Sequence, residues 1–180
     1  RGVLDAATLE PAGNASAFRI ASLSKAFASA IAARLVEERY LEWDEPVQQL
    51  VPSFELSDAP GAARLTIREL LSQRTGLPYN TLDKTLESSD ESYPLLVWRL
   101  RSQPMMCAVG ACYAYQNVAY SVIGDVTFAS SGDFYAHKVV RQIFLPLGIE
   151  RSSFGLDGLK ADDDWARPHK RGPRGWIVLE

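Results

Sequence analysis

Phe18-Arg19-Ile20-Ala21-Ser22-Leu23-Ser24-Lys25-Ala26-Phe27 is the stretch on which the reading of this chain turns. It heads residues 21–39, which are rich in Ala, Leu, Lys and Glu, all good helix formers. Phe27, Ile31 and Leu35, with Ala28, Ala32 and Val36, recur at helical spacing. Their stripe nearly encircles the helix, which predicts burial on several sides. Ser22 and Lys25 are three residues apart, so a helix puts them on one face, one turn apart. A serine hydroxyl is a poor nucleophile at neutral pH and needs a neighbouring base. A lysine enclosed by apolar residues, here Ile20, Ala21 and Phe27, gives up its charge more readily, because burial disfavours the ammonium. A helix start also leaves N–H groups free where an oxyanion would form. The same residues have a plainer reading, an N-cap serine followed by a solvated lysine. A Ser with a Lys three residues on arises about once by chance in a chain of this size. Thr81-Leu82-Asp83-Lys84 has the same shape within a polar loop.

Working outward, Asp44 precedes a short helix expected over 45–50, which Pro52 ends. Pro60-Gly61 reads as a turn. Thr66 with Glu69 three residues later is a capping-box pattern. It opens a helix over 67–73 that Gly76 and Pro78 stop. Residues 79–92 are polar and read as a surface loop or a short helix. Helices are expected over 93–101, 117–129 and 134–144, with a loop over 103–114. Everything after 151 reads as loop, except a possible strand over 176–179. A short strand-like start lies at 2–4. Helix dominates, and strand signals sit only at the two ends. That pattern fits a helical bundle, or the helical half of a larger α+β fold. The chain opens on Arg1-Gly2-Val3 without Met and closes on an apolar run to Glu180, so both ends read as cut.

The 180 residues are 47% apolar and 23% charged, with a formal net charge of −3. That composition supports a buried core and argues against disorder. No basic stripe stands out, so nucleic acid is not expected as a partner. The cluster Arg167, His169, Lys170, Arg171 and Arg174 reads as a solvated loop. No apolar run is long enough to span a membrane. The two cysteines, Cys107 and Cys112, leave two readings open, a disulfide or two buried thiols. Two remote histidines and no further Cys argue against a structural zinc site. A Ser-His-Asp arrangement would need His137 or His169 near the serine, and no Gly-x-Ser-x-Gly elbow exists.

Tyr115-Gln116-Asn117 is the second stretch of interest. A tyrosine near an ammonium can shuttle protons, and an Asn two residues on offers a donor and an acceptor to a substrate amide. The plainer reading is a half-buried tyrosine followed by an Asn helix cap.

Taken in order, four segments resemble one family. Phe18 to Phe27 is similar to the nucleophile segment of class C β-lactamases, D,D-peptidases and related esterases. Thr66-Ile-Arg-Glu-Leu-Leu-Ser-Gln-Arg-Thr-Gly76-Leu resembles the helix-to-loop segment that follows it. Tyr113-Ala-Tyr115-Gln-Asn117-Val-Ala-Tyr120-Ser-Val-Ile-Gly124 resembles the Tyr-x-Asn segment. Phe144-Leu-Pro-Leu-Gly148-Ile with Ser153-Phe154 resembles the stretch after that. Order and spacing agree over nearly the whole chain.

The resemblance implies an α+β fold of the β-lactamase/D,D-peptidase type. Residues 1–180 would be a partial domain truncated at both ends: the nucleophile helix and most of the helical lobe, with most of the antiparallel sheet missing. It implies Ser22 as acylated nucleophile, Lys25 as proton acceptor, Tyr115 as second general acid/base and Asn117 as substrate-amide holder. No metal or organic cofactor is implied. The implied reaction is hydrolysis of an ester, a β-lactam or a D-amino-acid peptide through an acyl-enzyme. The alternative is a binding or sensing relative that is acylated without turnover. The family's Lys/His-Thr/Ser-Gly strand is absent, so the chain alone is expected to be inactive or poorly folded. Val109-Gly110 stands where the family has Pro-Gly, and Gln73 where it has His. The resemblance also implies export to the periplasm or cell surface, which would permit a Cys107–Cys112 bridge. It leaves the oligomeric state open.

Overall fold

A computed structural model describes residues 2–179. Arg1 and Glu180, the outermost residues of the expected 1–180 domain, lie outside it. The chain divides into two compact units, residues 25–139 and residues 1–24 with 140–180.

The first unit is helical. Helix α1 (Lys25–Glu37) buries Ala28, Ile31, Ala32 and Leu35, the expected stripe. Its first turn is not the predicted start at 21, because a 3-10 turn over Ala21–Ser24 precedes it. Helix α2 (Val47–Leu50) is followed by α3 (Ala59–Arg64). The expected turn at Pro60-Gly61 lies inside α3. Asp58 caps this helix through Oδ1, which accepts from Gly61 N at 3.0 Å, and proline is tolerated in a first turn. In α4 (Ile67–Leu71) the expected capping box is complete. Glu69 N donates to Thr66 Oγ1 at 3.2 Å and Thr66 N to Glu69 Oε2 at 3.0 Å.

The polar stretch 79–92 contains α5 (Asp83–Ser88). Next come α6 (Tyr93–Arg99), α7 (Val118–Ser121), α8 (Ile123–Ser131) and α9 (Tyr135–Val139). Helix α1 packs on α8 and α9. Ile31, Leu35, Leu65, Ile67, Leu70, Leu77, Leu96 and Leu100 are sealed from water in this core. Each such side chain contributes roughly 1.5–3 kcal/mol of transfer free energy.

A disulfide joins Cys107 and Cys112, with Cα atoms 6.3 Å apart. The pinched loop docks on the segment after α4. Met106 N donates to Gly76 O at 2.8 Å, and Gly110 N to Arg74 O at 2.9 Å. Gly76 has φ +84°, and a Cβ there would meet Cys107 O at 2.6 Å, so only glycine fits this crossing.

The second unit carries the strand content. β1 (His169–Gly172) pairs antiparallel with β2 (Gly175–Val178), His169 opposite Val178. Isolated bridges join Val3 to Pro11 and Ala17 to Trp165. Leu4 is buried, and its carbonyl accepts from Arg167 N at 2.8 Å. The basic cluster read as loop is therefore largely this hairpin. Helix α10 (Gly155–Lys160) also lies where loop was expected. It buries no residue, so it carries no apolar period to read. Among the described residues no helix is long and apolar enough to cross a membrane.

Replacing both Cys107 and Cys112 by Ser should lower the unfolding free energy by about 2 kcal/mol, the loop-closure value for so short a ring. Urea denaturation reads this, and an unchanged midpoint would show that the bridge contributes nothing.

Candidate active site

Within the helical unit, α1 opens on Lys25, and the site is assembled around its amino group. Lys25 Nζ donates to Tyr115 Oη at 2.7 Å and to Asn117 Oδ1 at 2.6 Å. The ammonium also lies 4.6 Å from the Tyr115 ring centroid and 5.4 Å from that of Tyr120. Two oxygen acceptors and two ring faces are partners suited to a cation. Of the residues expected to enclose it in apolar surface, Phe27 is half-buried on the same helix. Ile20 and Ala21 are exposed.

Asn117 precedes α7, yet its side chain makes no cap bond. Its amide spans two charges instead. Oδ1 accepts from Lys25, and Nδ2 donates to Asp83 Oδ2 at 2.7 Å. The reversed amide would set NH2 against an ammonium and oxygen against a carboxylate, so electrostatics fix this orientation.

The loop carrying Tyr115 and Asn117 is held from beneath by Gln73. Gln116 N donates to Gln73 Oε1 at 2.8 Å, and Gln73 Nε2 donates to Gln116 O at 3.3 Å. Ala114 N adds a bond to Gln73 O at 3.0 Å. Gln73 is buried and sits at φ +62°, which is why α4 ends at Leu71 rather than at the expected residue 73. Gln116 is fully buried, and its own amide nitrogen donates to Pro78 O. Asn80 N reaches Tyr115 O at 2.8 Å. The two segments thus form one hydrogen-bonded unit under the site.

Tyr120 closes the far side. Its hydroxyl donates to Lys25 O at 3.0 Å and lies 3.3 Å from Ser29 Oγ. Burial pushes its phenol pKa up, with a smaller contribution from Tyr115. Burial likewise pushes Tyr135 up to about 12, aided by Tyr120.

Ser22 belongs to the other unit. It sits exposed in the 3-10 turn Ala21–Ser24, three residues before Lys25. Ala21, directly before it, holds φ +46°, a region non-glycine residues seldom occupy. The two histidines have other roles. His169 Nε2 accepts from Ala6 N at 3.0 Å, and His137 Nδ1 lies 3.2 Å from Asp133 Oδ1.

A family model described as Beta-lactamase matches residues 1–179. The chain belongs to the beta-lactamase family. It is 26% identical over 153 residues to penicillin-binding protein 4 of Amycolatopsis lactamdurans, covering 84% of this chain and 39% of that one. It is 28% identical over 167 residues to esterase EstB of Burkholderia gladioli, covering 86% and 42%. The octameric penicillin-binding protein homologue from Pyrococcus abyssi superposes with a TM-score of 0.82 at 21% identity, over 98% of this chain and 42% of that one. The α+β β-lactamase-type fold expected from the sequence is thereby shown. The chain spans about two fifths of the length of these two curated relatives.

Of the residues named from sequence, the structure joins Lys25, Tyr115 and Asn117. Sequence reasoning passed over Gln73 and Asp83. In the sequence Gln73 stands out only as a departure from the family pattern, and Asp83 only as part of Thr81-Leu82-Asp83-Lys84 in a polar loop.

Gln73→Leu should cost about 1–3 kcal/mol by leaving Gln116 N buried and unpaired. A thermal melt within a degree of the native protein would show that the clamp is dispensable. Tyr135 gives a pH test. A phenol raised in the folded state supports folding fully below its unfolded pKa near 10, and that support is lost as pH climbs through about 12. Tyr135→Phe should therefore lose less stability between pH 10 and 12, read by urea denaturation at each pH. Parallel losses would remove Tyr135 from alkaline unfolding.

Proposed function

We propose that this chain carries the nucleophile and the proton-handling groups of a serine hydrolase that works through an ester on Ser22. The observation that carries the reading is the Lys25 ammonium held between the Tyr115 phenol and the Asn117 amide. A cation 2.7 Å from the phenol oxygen stabilises negative charge developing there. That suits Tyr115 to accept the Ser22 proton as Oγ attacks a carbonyl carbon, and to return it to the leaving group as the tetrahedral adduct collapses. Water then repeats the attack on the ester with the same groups, freeing Ser22. Lys25 holds and charges Tyr115. Asn117 keeps one N–H and one lone pair for a substrate amide once Lys25 and Asp83 are served. Left-handed backbone next to Ser22 supports the nucleophile assignment, because such conformations gather at active sites.

The substrate class is an ester, a β-lactam or a peptide ending in a D-amino acid. The names of the relatives, a penicillin-binding protein and an esterase, support that range. The Cys107–Cys112 bridge supports a periplasmic or cell-surface location, since disulfides persist in oxidising compartments.

In the intact protein, a fluorescent penicillin or fluorophosphonate should label Ser22, and Ser22→Ala should abolish the label. Lys25→Ala should slow acylation by about 10³-fold while far-UV circular dichroism stays unchanged. Tyr115→Phe should slow p-nitrophenyl acetate turnover by about 10²- to 10⁴-fold. Near-native acylation in Lys25→Ala would remove Lys25 from the mechanism. A label that never leaves Ser22 would mark a sensor acylated without turnover.

A further inference from the structure

Asp83 lies outside the group that handles the proton, yet its position is tightly arranged. It begins α5, and its Oδ2 accepts from Asn117 Nδ2 at 2.7 Å. Its Oδ1 is buried among the described residues with no hydrogen-bond partner. The backbone that delivers it takes two left-handed conformations at non-glycine residues, Asn80 at φ +55° and Leu82 at φ +66°. That segment is tied to the site, with Asn80 N on Tyr115 O at 2.8 Å and Asp83 N on Asn80 O at 3.1 Å.

A half-paired carboxylate is costly to hold, because a buried oxygen without a donor loses its hydration. Removing it would relax the segment only if nothing were gained by its presence. Among the described residues the carboxylate's one hydrogen bond comes from Asn117, the residue whose other end holds Lys25.

We propose that Asp83 is a positioning residue that locks the Asn117 amide so that Oδ1 faces Lys25 and thereby sets the rate of acyl transfer. The inference rests on the reading of Lys25 and Tyr115 given under Proposed function. An asparagine amide can present either end to a neighbour. A carboxylate only accepts, so Asp83 admits only the NH2 end. The oxygen must then point to Lys25, and the ammonium is pinned beside the Tyr115 oxygen. Without the carboxylate the NH2 end of the amide loses its anchor, so Asn117 and the Lys25 amino group it holds are free to shift away from Tyr115. A displacement of about 1 Å at such a group can cost 10²-fold in rate. Asp83 need not touch substrate to have this effect, so it should act on kcat and leave KM alone.

The test uses the intact protein, with p-nitrophenyl acetate for kcat and KM and a fluorophosphonate probe for the rate of Ser22 acylation. Asp83→Leu should lower kcat and acylation about 10- to 100-fold, with KM changed less than about threefold. Asp83→Asn keeps an oxygen acceptor and should lose less. Asn117→Asp alone sets two carboxylates face to face and should also be slow. Combining Asp83→Asn with Asn117→Asp restores one donor and one carboxylate with the polarity reversed, and still offers Lys25 an oxygen. This swapped pair should recover at least about tenfold over Asn117→Asp. It also decides the matter if Asp83→Leu does not fold, because it preserves side-chain volume. Asp83→Leu with kcat within twofold of native, or a swapped pair no faster than Asn117→Asp, overturns the positioning role. Native protein that takes no label at Ser22 overturns the hydrolase reading itself, and the proposal with it.

Discussion

An ammonium between a phenol oxygen and an amide oxygen is the arrangement the helical unit is organised around. Lys25 begins α1, and its amino group is satisfied by residues about ninety positions further on. Closing contacts that distant in sequence costs loop entropy, so the site depends on the packed chain between them to offset it. The intervening helices supply that scaffold. Helix α1 is fixed against α8 and α9 by its apolar stripe. The Tyr115–Asn117 loop is fixed by backbone bonds to the segment after α4. Charge at the site is balanced in sequence, with ammonium, amide dipole and carboxylate in line from Lys25 through Asn117 to Asp83.

Two segments that meet as loops need an explanation, because loops of this kind are usually mobile. Here both run with their polar backbone partly out of water, so each N–H and C=O requires a partner. Gln73 supplies two of them from one side chain, because an amide offers a donor and an acceptor side by side. The pinched Cys107–Cys112 loop braces the same segment from the other side through Gly76 and Arg74. A histidine in place of Gln73 could offer a donor and an acceptor only on opposite ring edges, so the glutamine is a workable alternative and not a loss. Capping of α4 by Thr66 and Glu69 sets where this segment begins, and the left-handed turn at Gln73 sets where it bends.

Much of this was legible in the sequence, for identifiable reasons. The α1 stripe and the Thr66–Glu69 box are local patterns, and each fixes structure within a few residues. Lys25, Tyr115 and Asn117 were recognisable because their types suit proton transfer and their segments keep a familiar order. What escaped was non-local or lacked a period. Helix α10 buries nothing, β1 is a run of His, Lys and Arg, and α3 hides its start behind Pro60-Gly61. The sequence neighbours of Lys25 are apolar, whereas the two oxygens and two aromatic rings beside its amino group come from positions about ninety residues away. No reading of residues 20–27 alone could have shown that.

The polar surroundings change what the lysine is fit to do. An amine stripped of charge by apolar walls would act as a base directly. The Lys25 amino group instead donates to two oxygens, and one of them is the Tyr115 hydroxyl. In the proposed mechanism that geometry divides the labour: the phenol would move the proton while the lysine would hold the charge beside it. The amide and carboxylate behind it then matter as much as the lysine itself, since a cation that wanders by an ångström no longer supports the same oxygen. A site built this way also places constraints on the residues behind it, which is why Gln73 and Asp83 belong to its description.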